Sequence, residues 1–117
     1  MKKQILLVDD EQDIREVLAM ALQDMGYDVI EAEDGEQALR IFREQRPAIV
    51  ITDIKMPGID GIELLQRIKE SNPATEVIMI TGHGDMSLAV SSFRKDAVEF
   101  ITKPISVTDL SNALQKV

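Results

Sequence analysis

Polar residues that could do chemistry together stand where apolar runs end. Asp9 and Asp10 follow ILLV (5–8), Asp53 follows IVIT (49–52), Thr81 closes VIMIT (77–81), and Lys103 with Pro104 follows EFIT (99–102). If the fold brings these ends to one edge, three carboxylates, a hydroxyl and an ammonium meet there. Each carboxylate pair at ~4 Å repels by up to about 4 kcal/mol at an effective dielectric of about 20, more than one lysine can balance. A divalent cation is therefore expected. Oxygen-only ligands on a small open site, with room for waters and a phosphoryl group, suit Mg²⁺ better than a caged Ca²⁺ or Zn²⁺. A metal beside a carboxylate, with a hydroxyl and an ammonium aimed at the same point, is what phosphoryl transfer to an aspartate requires. Asp53 would be the nucleophile. Asp9 and Asp10 would hold the metal, while the metal, Thr81 and Lys103 share the charge on the transferring oxygens.

Composition narrows the classes. The 117 residues suit one domain, 1–117, able to bury a core without staples. The chain has no cysteine and one histidine, so disulfides, thiolate chemistry and Cys- or His-rich metal cages are excluded. A net charge of −8 argues against binding a phosphate backbone directly, so no nucleic acid partner is expected for this domain. No apolar run is long enough to span a bilayer, and Met-Lys-Lys leads into only four aliphatics, too few for a signal-peptide core. No membrane partner and a cytoplasmic location are the expectation.

The elements that must position those residues are legible as alternating patterns. The strand-like blocks are ILLV, DVIEA (28–32), IVIT, VIMIT and EFIT. The first, third and fourth are nearly continuous aliphatic runs, as in parallel strands covered on both faces. Between the first two blocks, Ile14, Val17, Leu18, Ala21, Leu22 and Met25 trace one apolar face of a helix ending at Gly26. Further helices are expected near 35–45, 61–71, 86–95 and 107–116, with Pro47, Asn72-Pro73 and Pro104 at boundaries. Five strands alternating with five helices predict an α/β, doubly wound, flavodoxin-like parallel sheet in the order 2-1-3-4-5. Such sheets bind ligands beyond the carboxyl ends of their strands, where all the polar residues above lie.

With these motifs in order, namely VDDE, ITDIKMPGIDG, ITGHGD and FITKP, the chain resembles a response-regulator receiver domain of bacterial two-component signalling over essentially its full length. The resemblance implies that Asp53 is phosphorylated by a histidine kinase or phosphotransfer protein. It implies Mg²⁺ held by Asp10, Asp53 and the backbone carbonyl of Lys55 with Asp9 close by, and a cis Lys103-Pro104 bond. Thr81 and Phe100 match the switch positions through which phosphorylation alters the face of the fourth helix, fifth strand and fifth helix. That face would act on a C-terminal output domain, a partner protein or a second copy in a homodimer. Lys55 and His83 match positions that tune phosphoryl lifetime. Asp96-Ala97 departs from the Gly-Ala common before the last strand of such domains, which bears on the turn there.

Each residue also has a plainer use. Asp9 or Asp10 could cap the first helix, Asp53 could open the Met56-Pro57-Gly58 turn, Thr81 could cap a helix, Lys103 could be a solvated lysine, and Phe100 could be core. Other functions share parts of the pattern. A flavodoxin-type nucleotide binder would need a glycine- or hydroxyl-rich loop after the first strand, where VDDEQD would repel phosphate. A Mg²⁺-dependent aspartyl-phosphate phosphohydrolase usually carries a second acid two residues past its nucleophile, where this chain has Lys55, and no insertion is long enough for a substrate cap. A receiver signalling by contacts alone would usually lack the acceptor or the lysine, and this chain has both. The expectation is a signalling domain with self-phosphorylation and autodephosphorylation chemistry, not an enzyme acting on metabolites.

Overall fold

Every aliphatic run becomes a strand. The computed structural model describes residues 3–82 and 99–116. In chain order the elements are β1 (Gln4–Val8), α1 (Gln12–Asp24), β2 (Asp28–Ala32), α2 (Gly35–Gln45), β3 (Ile49–Asp53), α3 (Gly61–Ser71), β4 (Glu76–Thr81), β5 (Glu99–Thr102) and α4 (Val107–Gln115). The strands form one parallel sheet in the order β2-β1-β3-β4-β5, as expected. Among the described residues there are four helices where five were expected. The helix expected over 86–95, together with His83 and Asp96-Ala97, lies outside the described residues.

The continuous runs are explained by alternation across a sheet covered on both sides. Leu6, Val8, Val50, Val77 and Met79 pack toward Phe42 of α2 and Leu64, Leu65 and Ile68 of α3. Their neighbours Ile5, Leu7, Ile49, Ile51, Ile78 and Ile80 pack on the opposite side, with Leu18 and Leu22 of α1 and Leu110 and Leu114 of α4. A one-residue slip in any strand would exchange the two sets, so the register is strongly fixed.

Three helix starts are capped by short side chains that satisfy otherwise orphaned amides, each worth about 1 kcal/mol. Asp34 accepts from Gln37 N–H at 2.8 Å, Asp60 from Glu63 N–H at 2.8 Å, and Ser106 from Asp109 N–H at 3.0 Å. At α1 the cap position is Glu11, with no side-chain cap bond, so neither Asp9 nor Asp10 serves as its cap. The helix ends as its sequence indicates. Gly26 takes a φ of +98°, its N–H reaches Gln23 O, and Tyr27 N–H reaches back to Leu22 O, closing the last carbonyls.

One expectation for α1 is corrected. Val17 was placed on its apolar face, but it is 66% exposed, while Ala19 is buried. The buried stripe is centred on Leu18 and Leu22, and Val17, one residue before Leu18, is rotated about 100° away from it.

Candidate functional site

The register brings the strand ends level. Val8 pairs with Thr52, Asp53 with Ile80, and Thr81 with Thr102, so the last polar groups of β1, β3, β4 and the residue after β5 share one edge. Lys103 N–H donates to Thr81 O at 2.8 Å, continuing the ladder one residue past β5. The Lys103-Pro104 bond that follows is cis.

Lys103 Nζ lies 3.2 Å from Asp53 Oδ2 and 3.4 Å from Glu11 Oε1. Asp53 is therefore no turn-opening loop residue: it ends a buried strand, is 4% exposed and is paired across the sheet. Asp9 is fully buried, Asp10 exposed, and one oxygen from each of Asp9, Asp10, Glu11 and Asp53 lies within 4.8 Å of the others. Thr81 is buried at the end of β4. Lys55, two residues past Asp53, is exposed in the loop before α3. Phe100 is half-buried and packs against the core cluster containing Met79, its partner across the ladder. By strand alternation it shares a sheet face with Thr81, so it is both core and neighbour of the site.

Electrostatics mark this corner as uncompensated. Burial pushes the Asp53 carboxyl above its usual range, although Lys103 pulls it back. Burial raises Asp9 as well; the amide of Glu11 opposes this and the charge of Asp53 adds to it. For Lys103, burial alone would lower the ammonium, but Asp53, Asp9 and Glu11 together hold it above its usual value. Three acids thus act on one lysine.

These residues fit a bound cation on a specific observation. Asp9 Oδ1 accepts from Glu11 N–H at 2.9 Å, while Asp9 Oδ2 is buried with no hydrogen-bond partner among the described residues. Buried carboxylate oxygens are rarely left so, and a cation held by oxygen would satisfy it.

Two residues in contact with the site escaped the sequence reading. Glu11 stands in VDDE and could have been found as a third consecutive acid, but next to a helix start it reads as an ordinary first-turn charge. Arg15 donates through Nη1 to Asp9 O at 2.7 Å and through Nε to Glu31 Oε1 at 3.2 Å. Within α1 it reads as a solvated cation, and nothing in the local sequence signals its reach to β2.

Backbone contacts seat Asp53. Gly61 N–H donates to Ile54 O at 2.8 Å, and a Cβ at Gly61 would lie 2.1 Å from the carbonyl oxygen of Asp53. The start of α3 is thus pressed directly onto the main chain of Asp53, which only glycine allows.

Comparison with known proteins agrees with this geometry. The family model described as the response regulator receiver domain matches residues 5–115. The chain is 35% identical to the sporulation initiation phosphotransferase F of Bacillus subtilis over 116 residues, covering 99% of this chain and 94% of that protein. It is 37% identical to the probable transcriptional regulator ycf27 of Porphyridium aerugineum, covering 99% of this chain and 48% of the relative. A response regulator receiver domain protein from Clostridium thermocellum superposes with a TM-score of 0.93 at 37% identity, covering 97% of this chain and 91% of that one. The chain spans 48%, 24% and 45% of the first curated relatives it matches. Among the described residues, no helix is long and apolar enough to cross a membrane. With the family model matching almost end to end and these relatives alike over nearly the whole chain, the chain belongs to the response regulator receiver domains, phospho-accepting modules of signalling.

Proposed function

We propose that Asp53 is the phospho-acceptor, receiving its phosphoryl group from a phosphohistidine on a partner kinase or phosphotransfer protein in a Mg²⁺-dependent reaction. The observation that carries this reading is the 3.2 Å contact of Lys103 Nζ with Asp53 Oδ2 inside a cluster of four acids. An Asp53 carboxylate oxygen attacks phosphorus, the new O–P bond forms as the donor's N–P bond breaks, and the electron pair returns to the imidazole. Lys103 and the Thr81 hydroxyl offset charge on the phosphoryl oxygens. Asp9, Asp10, Asp53 and the Lys55 carbonyl are the groups that would hold Mg²⁺, which supplies charge neutralisation for the incoming phosphoryl group. Hydrolysis of the aspartyl phosphate at the same site resets the domain.

Phosphorylation adds roughly two negative charges and favours the state in which Thr81 and Lys103 engage them. Phe100, on Thr81's face of the sheet, carries the change to β5 and α4. That surface acts on an output domain, a partner protein or a second copy. Several relatives are named as transcriptional regulators, which supports an output of this kind in the intact protein. An apolar groove lined by Ile14, Val17, Leu18, Pro104 and Ile105 runs beside Lys103 and offers the histidine-bearing donor a seat next to the acceptor.

The test is intact-mass spectrometry after incubation with acetyl phosphate. One phosphoryl group should be gained with Mg²⁺, be lost on hydroxylamine treatment as an acyl phosphate is, and be absent with EDTA. No mass gain in the presence of Mg²⁺ would sink the reading. A second expectation concerns Lys103→Ala. Removing one positive charge should leave Mg²⁺ affinity intact or improved, while labelling slows by about 10²-fold because a charge-stabilising donor is lost. Calorimetric titration showing weaker Mg²⁺ binding in this variant would contradict the charge argument.

A further inference from the structure

We infer that Arg15 is a positioning residue for the cation site, fixing Asp9 so that one carboxylate oxygen is kept in reserve for the metal. The inference rests on the Mg²⁺-dependent reading of the site. Asp9 is tied at three points: its N–H donates to Ala32 O at 3.2 Å, its C=O accepts from Arg15 Nη1 at 2.7 Å, and its Oδ1 accepts from Glu11 N–H at 2.9 Å. Oδ2 has no partner among the described residues. The guanidinium is anchored in turn by Glu31, in the same strand as Ala32, through the 3.2 Å Nε contact. Both sides of the Asp9 residue are therefore held to β2, one directly and one through the Arg15 fork.

Two features separate this from a chance surface pair. Arg15 lies in the first turn of α1, where a cation faces the positive end of the helix dipole and is disfavoured, so its contacts must outweigh that cost. Its side chain is also largely buried, at 13% exposure, whereas Glu31 is 41% exposed. An exposed ion pair would contribute little on its own. Meeting the Asp9 carbonyl through Nη1 and Glu31 through Nε at once takes a planar, two-armed donor, which lysine is not.

The sign of the expected effect is diagnostic. Arg15 places positive charge beside a cation site, so on electrostatics alone Arg15→Ala would tighten Mg²⁺ binding. If positioning dominates, Arg15→Ala weakens it, by about tenfold, as loss of a residue that orients a metal ligand commonly does. Arg15→Lys, which keeps the opposing charge and loses the fork, should bind Mg²⁺ no more tightly than Arg15→Ala. The experiment is a calorimetric Mg²⁺ titration of the unphosphorylated protein and these variants at 25 °C, with circular dichroism confirming the fold. Arg15→Gln repeats the comparison should the alanine variant not fold. Acetyl phosphate labelling adds a second readout: the variants should label slowly at limiting Mg²⁺ and recover at saturating Mg²⁺.

Unchanged or tighter Mg²⁺ binding in Arg15→Ala and Arg15→Gln overturns the inference. So does a wild type that binds no Mg²⁺, which also overturns the proposed function. A wild type that binds Mg²⁺ but never gains a phosphoryl group defeats only the proposed function, and the Arg15 comparison still decides this one.

Discussion

Asp53→Asn should lose all phosphoryl labelling and at the same time make the metal-free protein more stable at neutral pH. The first effect follows from removing the nucleophile while keeping its shape. The second follows from the raised Asp53 carboxyl, whose burial outweighs the help it receives from Lys103. A carboxyl raised on folding binds more protons in the native than in the unfolded state, so stability falls as pH rises from the unfolded value near 3.8 through the raised folded one. At neutral pH the full cost is present, and asparagine removes it. A gain of a few degrees in Tm is expected, since about 1 kcal/mol corresponds to ~4 °C or more in a domain of this size. The gain should shrink as pH is lowered toward 4, where wild-type Asp53 is itself neutralised. Scanning calorimetry across pH with EDTA present checks both points. A variant less stable than wild type at pH 7 would mean that the Lys103 pair, and not burial, governs Asp53.

The second large effect is structural. Gly61→Ala should destabilise the fold by about 3 kcal/mol or more, at or beyond the upper end for overpacking. Its Cβ would sit 2.1 Å from Asp53 O and 2.8 Å from Ile54 Cα, both main-chain atoms that cannot swing aside. Gly58 gives the control. It has a φ of +75° and open space around its missing Cβ, so Gly58→Ala carries only the left-handed backbone cost, about 1 kcal/mol. Urea unfolding should therefore rank Gly61→Ala well below Gly58→Ala, with acetyl phosphate labelling lost or strongly slowed in the former alone. Equal midpoints for the two variants would contradict the packing of α3 on the acceptor strand.

Most of this site is legible in the sequence because its chemistry sits at the ends of strands. Asp9, Asp10, Asp53, Thr81 and Lys103 each follow or close an aliphatic run, and a parallel sheet must bring such ends to one edge. The sheet order followed from five short runs separated by helical spacings. What escaped depends on contacts between elements distant in sequence. Arg15 acquires its role only when β2 lies beside β1, and Glu11 only when Lys103 arrives from 92 residues away. Val17 shows the limit of periodicity: i, i+3 and i+4 spacing defines a broad stripe, and tertiary packing chooses which edge of it is covered. The glycine at 61 could be seen as part of a turn, but the reason no other residue fits lies in the Asp53 carbonyl above it.

The separation of Lys103 from Asp53 has a consequence for how the protein comes into being. Donor-facing carboxylate and countercharge belong to strands that are not even adjacent, with β4 lying between them. A growing chain that has made the first four strands possesses every acid of the corner but none of the ammonium that tempers them. Docking of the last strand is thus what brings the countercharge to the corner, and until then its carboxylates stand together without the ammonium.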